Sequence, residues 1–411
     1  MKNLYAALLC VLLLSCSTQD KKQADLILTN ATVYTVDSAF SKAGAFAVKD
    51  GKFIAVGTAK EITDAYDSPN TIDAKGKIVY PGLIDAHCHF FRFGASLQNV
   101  DLVGTKSYDE VLNRVVDFQE KKPTDFIYGR GWDQNDWEIK DFPNKLKLDS
   151  LFPDTPVVLQ RIDGHALLVN QKALDMAKID LKTTVNGGEI VKMNGKLTGV
   201  LIDNPMDLIN AIMPEMTREQ QIQALKDAQD YCFKYGLTTV DDAGISRKTI
   251  ELIDSLQRSK VLKMRIYAMV SNTPSDRDFY LKNGILKTDM LNVRSIKVYG
   301  DGALGSRGAA LREPYADRDN HYGALVTPVD SMYTLAQRIA MTDFQMNTHA
   351  IGDSANTVIL KAYAEALSEK TDARWRVEHA QVISPEDFDY FDDNIIPSVQ
   401  PTHATSDMYW A

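Results

Sequence analysis

Cysteine, excess positive charge and long apolar runs are all scarce in this sequence. Only four of the 411 residues are cysteines, which excludes a scaffold held together by disulfides. Acidic residues outnumber basic ones by 55 to 46 and the formal net charge is -9, which argues against a nucleic-acid-binding surface. After residue 20, no run approaches the roughly 18 apolar residues of a membrane-spanning helix. The remaining composition, 45% hydrophobic and 25% charged, is typical of a globular chain with a large core.

The N-terminus has the pattern of an export signal. Lys2 precedes an apolar run over residues 4–14, and Leu13-Leu14-Ser15-Cys16 ends that run before a polar stretch. The ending resembles a bacterial lipobox, which implies removal of residues 1–15 and lipidation of Cys16, with residues 16–23 as a tether. We therefore expect a lipoprotein anchored in the bacterial cell envelope, periplasmic or on the outer membrane. The alternative is an ordinary signal peptide with an incidental cysteine.

Residues 24–77 contain short strand patterns separated by turn signals. The strand patterns cover residues 24–29, 31–36, 45–49, 52–56 and 71–73. Lys49-Asp50-Gly51-Lys52 and Lys75-Gly76-Lys77 are typical turn sequences between them. The region is therefore expected to form a small β unit.

From residue 78 to the end, strand patterns alternate with helical ones. A capping-box pattern, Thr217-Arg218-Glu219-Gln220, opens one of the helices, and Ser384-Pro385 opens another. Alternation of this kind predicts a parallel sheet, and we expect strands at 78–85, 237–241, 264–270, 295–299, 345–349, 375–379 and 395–399. The expected fold class is α/β, a TIM-like (β/α)8 barrel whose eighth strand would lie beyond Ala411.

Residues 96–216 do not follow this alternation. They carry strand patterns of their own at 126–129 and 156–160. We interpret them as a subdomain inserted after the first barrel strand, where it could cover the mouth of the active site.

Four of the seven histidines fall at the ends of predicted barrel strands. His87 and His89 lie two residues apart at the end of the first strand, so both rings can face one metal ion while Cys88 points away. His349 ends the fifth strand and His379 the sixth, and the C-terminal strand ends of such a barrel form its catalytic rim. A lone histidine there is often only a packing residue, but four on one rim indicate a metal site. Cys88 and Cys232 are expected to be reduced core residues.

Lys297 is unusual because it lies within a strand that should be buried. A buried ammonium group is costly unless it is paired or neutralised, and it is a poor neighbour for a metal cation. The ordinary explanation would be a lysine that reaches a carboxylate at the rim, such as Asp301.

These motifs resemble the amidohydrolase superfamily of metal-dependent hydrolases, and within it the amidohydrolase-3 group that includes the N-substituted formamide deformylases. The resemblance covers the chain from about residue 24 onward. The motifs that carry it are Pro81-Gly82-Leu83-Ile84-Asp85-Ala86-His87-Cys88-His89, Asp163-Gly164-His165-Ala166, Lys297-Val298-Tyr299-Gly300-Asp301-Gly302-Ala303-Leu304-Gly305-Ser306-Arg307, Asn347-Thr348-His349-Ala350-Ile351-Gly352-Asp353 and Val377-Glu378-His379-Ala380-Gln381.

The resemblance implies a particular metal centre. His87 and His89 would bind one divalent ion, expected to be zinc, and His349 and His379 would bind a second. Lys297 would be carboxylated by carbon dioxide and would bridge the two ions, which would remove the buried positive charge. The resemblance also implies that the small β unit is part of a β-sandwich.

One element of the family pattern is expected to lie outside this sequence. The aspartate at the end of the eighth strand, which binds metal and acts as the general base, would follow Ala411, as would further strands of the β-sandwich. As written, the chain is therefore expected to be an inactive fragment without its base.

Four further residues are candidates for contact with substrate. His165 would line the pocket or polarise the substrate carbonyl, or else only order its loop. Trp132 could belong to the same wall or to the core, and Asp301 and Arg307 could contact substrate or order the rim.

The leading hypothesis is hydrolysis of a carbon–nitrogen amide-type bond of a small molecule, outside peptide chains, by water activated on two metals. An esterase, a lactonase or a deaminase on the same barrel stays open, because each reaction uses activated water. An inactive exported binding lipoprotein is the third hypothesis. The expected partners are a small amide substrate and, through the lipid anchor, a membrane, with no nucleic acid.

Overall fold

A computed structural model describes residues 20–185, 188–305 and 307–406. The chain divides into two compact units between Leu83 and Ile84. The expected export signal and the lipidation site at Cys16 lie outside the described residues. Within the described ranges, no helix is both long and apolar enough to cross a membrane.

The first unit is built from short strands, as its turn-rich sequence predicts. Its strands are β1 (Lys22–Gln23), β2 (Leu26–Thr29), β3 (Thr32–Tyr34), β4 (Lys42–Ala43), β5 (Ala45–Lys49), β6 (Lys52–Gly57), β7 (Tyr66–Asp67), β8 (Thr71–Asp73) and β9 (Ile78–Val79). They form sheets with the orders β6-β5-β2-β8, β4-β3-β9 and β1-β7. Helix α1 (Ala59–Ala65) begins with a capping box between Thr58 and Glu61, and Ile62 anchors it in a core with Ile27 and Ala47.

The predicted first barrel strand over residues 78–85 is wrong in its bounds. Ile78–Val79 pairs with β3 in the first unit, and the barrel strand β10 is Leu83–Cys88. Pro81-Gly82 separates the two, because proline has no N–H to donate to a sheet. The apolar run looks continuous in the sequence, although its two halves belong to different sheets.

The inserted region forms its own sheet, as predicted. After α2 (Phe90–Ser96) come β11 (Val100–Asp101), α3 (Tyr108–Lys121), β12 (Ile127–Trp132), α4 (Leu146–Leu151), β13 (Val157–Arg161), β14 (Ala166–Val169), α5 (Gln171–Met176), β15 (Gly188–Met193), β16 (Lys196–Asp203) and α6 (Met206–Asn210), with a short 3-10 helix at Gln134–Asp136. The sheet order is β11-β12-β13-β14-β16-β15.

The rest of the second unit alternates strands and helices. The strands are β17 (Leu237–Ile245), β18 (Arg265–Ser271), β19 (Leu286–Lys287), β20 (Leu291–Tyr299), β21 (Gln345–Ala350), β22 (Trp375–His379) and β23 (Ile395–Ser398). The helices are α7 (Arg218–Lys234), α8 (Arg247–Arg258), α9 (Pro274–Asn283), α10 (Val329–Ala340), α11 (Asp353–Ala366) and α12 (His403–Ser406), with a 3-10 helix at Pro385–Tyr390. Helix α7 has the capping box predicted at Thr217 and Gln220.

The sheet of this unit is a parallel half-barrel, which confirms the α/β fold class. Its strand order is β10-β17-β18-β20-β21-β22-β23, and β19 pairs antiparallel at the start of β20. The predicted strands from residue 237 onward are all confirmed. Helices on the outside bury their apolar faces against the sheet, as shown by Ile253, Ile339 and Ile359, which are fully buried in one continuous core. This order brings the C-terminal ends of the parallel strands to one edge.

Candidate metal centre

Four histidine rings lie together at the C-terminal ends of three barrel strands. His87 and His89 come from the end of β10, His349 from β21 and His379 from β22. The ring centroids are 5.7 Å apart for His87 and His89, 4.5 Å for His87 and His379, and 4.7 Å for His349 and His379. The structure therefore brings together the four histidines that the sequence pattern singles out.

An unusual backbone conformation turns His379 toward the other rings. Along β22 the side chains of Arg376 and Glu378 face the same side, so regular alternation would direct His379 to the opposite face. His379 has φ +75° and Ala380 φ +42°, a region that residues other than glycine rarely adopt. Strain of this kind is typical of functional sites.

Each histidine ring has one nitrogen held by an acceptor from the protein. The hydrogen bonds run from His87 Nδ1 to Glu378 Oε2 (2.5 Å), from His89 Nδ1 to Ala243 O (2.9 Å), from His349 Nε2 to Gly302 O (3.1 Å) and from His379 Nδ1 to Gln400 Oε1 (2.6 Å). Because each bond fixes the N–H on one nitrogen, the other nitrogen keeps its lone pair. Each of the four rings thus keeps one nitrogen that can bind a further group.

The protonation states of these rings suit metal ligands. Burial lowers the pKa of His349 to about 4 and that of His379 to about 3. Burial and the Lys297 charge also lower the pKa of His89. Neutral imidazoles are the form that binds metal ions.

The donor set fits divalent metal ions in its chemistry. His87 Nε2 is buried and has no hydrogen-bond partner, which is costly unless a further group binds there. Within the described ranges, however, no three His, Cys, Asp or Glu side chains already form a ligand set around one point. The histidines therefore form a group of neighbouring donors and not a closed coordination shell.

Lys297 lies within this group, on β20. Its side chain is only 1% exposed, and its Nζ lies 5.2 Å from the centre of the Tyr299 ring. Its charge contributes to the lowered pKa values of His89, His349 and His379. Burial lowers the pKa of Lys297 itself to about 8, which makes the neutral amine more accessible than in an exposed lysine.

Within the described ranges Asp301 forms no ion pair with Lys297, and its Oδ1 lies 3.6 Å from His349 Nε2. It is 2% exposed and accepts backbone N–H groups from Ala310 (2.8 Å), Ile351 (3.0 Å) and Gly352 (2.8 Å). A carboxylate used in this way orders the two loops at the rim. These bonds give Asp301 a rim-ordering role, and its contact with substrate stays a prediction.

Trp132, which the sequence left open between the wall of the substrate pocket and the core, lies in the core of the inserted subdomain. It is fully buried, its indole Nε1 donates to Leu159 O at 2.8 Å, and its ring packs against Trp137. Sequence alone did not distinguish the two positions, because both suit an aromatic side chain.

His165 and Arg307 occupy polar, accessible positions. His165 Nδ1 lies 2.9 Å from Asp203 Oδ1, and the His165 side chain is 74% exposed. The ion pair raises the pKa of His165. Arg307 is paired with Asp317 in the loop after β20. In this structure both side chains are therefore engaged in pairs within the protein.

Several residues beside the metal centre were not singled out as site residues in the sequence. Glu378 is fully buried and orients His87. Burial would raise its pKa, but the bond from His87 and the Arg376 charge outweigh that effect and lower it to about 2. Two charged residues at alternate positions of a buried strand, Arg376 and Glu378, are the sequence signal that could have identified them.

Three more neighbours complete the surroundings of the rings. Gln400 holds His379, the His403 ring lies 5.7 Å from the His379 ring, and the Tyr299 ring lies 5.8 Å from the His349 ring. A cavity of about 490 Å³ reaches His379, Gln400 and His403. His403 therefore lies next to the histidine group.

Known proteins resemble this chain along most of its length. It is 32% identical over 403 residues to LONG AFTER FAR-RED 3 of Arabidopsis thaliana, an alignment that covers 93% of this chain and 69% of that protein. It is 26% identical over 377 residues to the N-substituted formamide deformylase of Arthrobacter pascens, with 87% and 69% covered.

A solved structure and a family model agree with these relatives. The crystal structure of an uncharacterized metal-dependent hydrolase from Pyrococcus furiosus superposes with a TM-score of 0.76 at 28% identity, over 93% of this chain and 78% of that one. Residues 70–411 match the model of the amidohydrolase family. Because that match spans well over half of the sequence, the chain belongs to the amidohydrolase family.

Proposed function

We propose that this protein is a metal-dependent hydrolase that cleaves a carbon–nitrogen amide-type bond of a small molecule, outside peptide chains. The observation that carries the proposal is the group of four histidines, each held in one tautomer, in a sheet that also carries the buried Lys297. The likeness to a solved metal-dependent hydrolase supports metal use. The likeness to a formamide deformylase supports the bond type.

The proposed centre is binuclear, with zinc as the expected metal. His87 and His89 would hold one ion, and His349 and His379 the other. Two such ions would supply an activated water and would polarise the scissile carbonyl. The products would be an amine and a carboxylic acid.

Lys297 would link the two ions as a carbamate. Its neutral amine would form an N–C bond with carbon dioxide and release one proton to water, which converts a buried cation into an anion with two oxygen donors. This change suits the position, because a buried ammonium group beside metal ions is unfavourable.

Metal analysis of the purified chain tests the proposed centre. After incubation with zinc and bicarbonate, about two ions per chain are expected by elemental analysis. A His87→Ala, His89→Ala double variant should bind about one ion, and so should a His349→Ala, His379→Ala double variant. Fewer than one ion in the unchanged protein would overturn the binuclear proposal.

A substrate panel tests the bond type. N-formyl amines, N-acyl amines, lactones, esters and aminated bases should be compared under the same metal loading. Turnover confined to the amides supports the proposal, whereas turnover confined to lactones and esters, or to aminated bases, would contradict it.

We also propose that the protein is anchored in the bacterial cell envelope through a lipid on Cys16. The lipobox-like Leu13-Leu14-Ser15-Cys16 sequence supports this proposal. Mass spectrometry of the N-terminal peptide after expression in a bacterium should show an acylated Cys16, and a Cys16→Ser variant should leave the membrane fraction. An unmodified Cys16 would contradict the anchor.

A further inference from the structure

Arg376, on β22, contacts three other strands of the half-barrel. Its Nη1 donates to Asp241 Oδ2 on β17 at 2.5 Å. Its Nη2 lies 2.5 Å from Ala86 O on β10 and 3.0 Å from Ser398 Oγ on β23. The side chain is 14% exposed, so these contacts form largely away from solvent. The guanidinium therefore links the first strand of the half-barrel to the last one described.

The fourth partner of Arg376 is the carboxylate that holds a proposed metal ligand. Nη2 donates to Glu378 Oε2 at 2.9 Å, and Nε lies 2.7 Å from Oε1 without hydrogen-bond geometry. The same Oε2 atom accepts the Nδ1–H of His87 at 2.5 Å. Arg376, Glu378 and His87 thus form a chain of contacts that ends at the buried, unpartnered Nε2 of His87.

The positive charge of Arg376 compensates the negative charge of the buried Glu378 carboxylate. Glu378 is fully buried, and a buried carboxylate without a countercharge is strongly unfavourable. The planar fork of arginine can fix such a carboxylate while it also binds a carbonyl and a hydroxyl, which a lysine ammonium cannot reproduce. With Glu378 fixed, the Nδ1 of His87 must carry the hydrogen, and its Nε2 is the nitrogen left for an ion.

We propose that Arg376 is a positioning residue for the metal centre, which acts through Glu378 to hold His87 in its ligand orientation. The inference rests on the proposed function, because it assumes an ion at His87. The inference goes beyond the proposed function, because it makes the affinity for one ion depend on a side chain that touches neither that ion nor the substrate.

Zinc titration of the purified chain in competition with a chromophoric chelator tests the assignment. Arg376→Met and Glu378→Gln should each weaken the binding of one ion about 10–100-fold and leave the other ion largely unchanged. The double variant should bind that ion no more weakly than Glu378→Gln alone, because both changes break one chain of contacts. General damage to the fold would instead weaken both ions.

Arg374→Met is the matched control. Arg374 lies two residues away and pairs with Asp372 at the surface, with side chains 63% and 64% exposed. Its loss should leave both zinc affinities unchanged. Arg376→Lys keeps the positive charge, so it can be measured even if Arg376→Met does not fold. It should weaken the binding of the same ion by a smaller factor than Arg376→Met does.

The outcomes separate this inference from the function on which it rests. Unchanged affinity in Arg376→Lys and in a folded Arg376→Met, or additive losses in the double variant, would overturn the positioning role and leave the proposed function standing. Failure of the unchanged protein to bind zinc would overturn both.

Discussion

Among single residues, Lys297 provides the most direct test of the metal centre. Lys297→Met keeps most of the side-chain volume but removes the amine, so no carbamate can form. We expect bound zinc to fall by at least one ion per chain and any amidase activity to fall about 100-fold. Isotopically labelled bicarbonate should give a carbamate signal in the carbon NMR spectrum of the unchanged protein and none in the variant.

Lys287→Met is the control for that experiment. Lys287 is exposed on the neighbouring strand β19, so its loss should change neither zinc content nor the carbamate signal. If Lys297→Met keeps two ions and full activity, Lys297 does not bridge the metals.

Asp301 is predicted to act through stability. Asp301→Asn removes the charge from a buried carboxylate that accepts three backbone N–H groups, and it should lower the free energy of unfolding by about 1–3 kcal/mol. Urea unfolding measures this loss. Asp319→Asn, at an exposed position, should stay within about 0.5 kcal/mol of the unchanged protein. A raised KM at unchanged stability would instead support substrate contact.

At this scale the sequence predicts residue positions better than residue roles. His87, His349 and His379 could be recognised because strand ends of a parallel sheet meet at one edge. The environment of Asp301 could not be read, because its amide partners at Ile351 and Gly352 lie 50 and 51 residues further along the chain. Only the folded structure shows whether a polar side chain faces a ligand or a loop.

Helix α2 connects the metal centre to the packing of the unit, because it begins directly after His89. Gly94 of α2 lies so close to α7 that an added Cβ would be 2.1 Å from Ala224 O. Gly94→Ala should therefore push α2 away and cost about 1–3 kcal/mol in unfolding free energy. Since His89 is the N-cap of α2, zinc affinity at its site should fall as well.

Gly44→Ala is a suitable comparison for Gly94→Ala. An added Cβ at Gly44 would meet its nearest atom at 3.5 Å, an ordinary contact. Chemical denaturation and zinc titration should show that Gly44→Ala changes the unfolding free energy and the zinc affinity little. Equal effects of the two substitutions would show that the close approach of α2 and α7 is not what limits stability.

The sequence predicted those secondary-structure elements whose signals lie in neighbouring residues. The capping box of α7 and the strands from β17 onward other than β19 could be predicted, because apolar spacing and cap residues are properties of neighbouring positions. The split at Pro81-Gly82 was missed, because the partners of Ile78–Val79 lie in β3, far back in the sequence. The positive φ of His379 is likewise set by its tertiary surroundings.

For the molecule as a whole, metal binding should be coupled to folding, because the proposed ligands come from strands far apart in the chain. An ion that binds only the folded state adds about 2.7 kcal/mol of stability at a free concentration 100 times its Kd. For a unit that spans residues 84–411, one such ion should then raise the melting temperature by about 4 °C. A chelator should reverse the rise, and calorimetry with and without zinc measures it.

Two variants show whether that stabilisation arises at the histidine group. The His349→Ala, His379→Ala double variant removes ligands from β21 and β22 and should lose much of the rise. His165→Ala removes an exposed histidine of the inserted subdomain and should keep all of it. Zinc could also bind unfolded chains through their histidines, which would reduce the rise in every variant alike. A rise that is equal in all three proteins would therefore place the stabilising ion elsewhere, and an absent rise in the unchanged protein would contradict a metal centre that joins β10, β21 and β22.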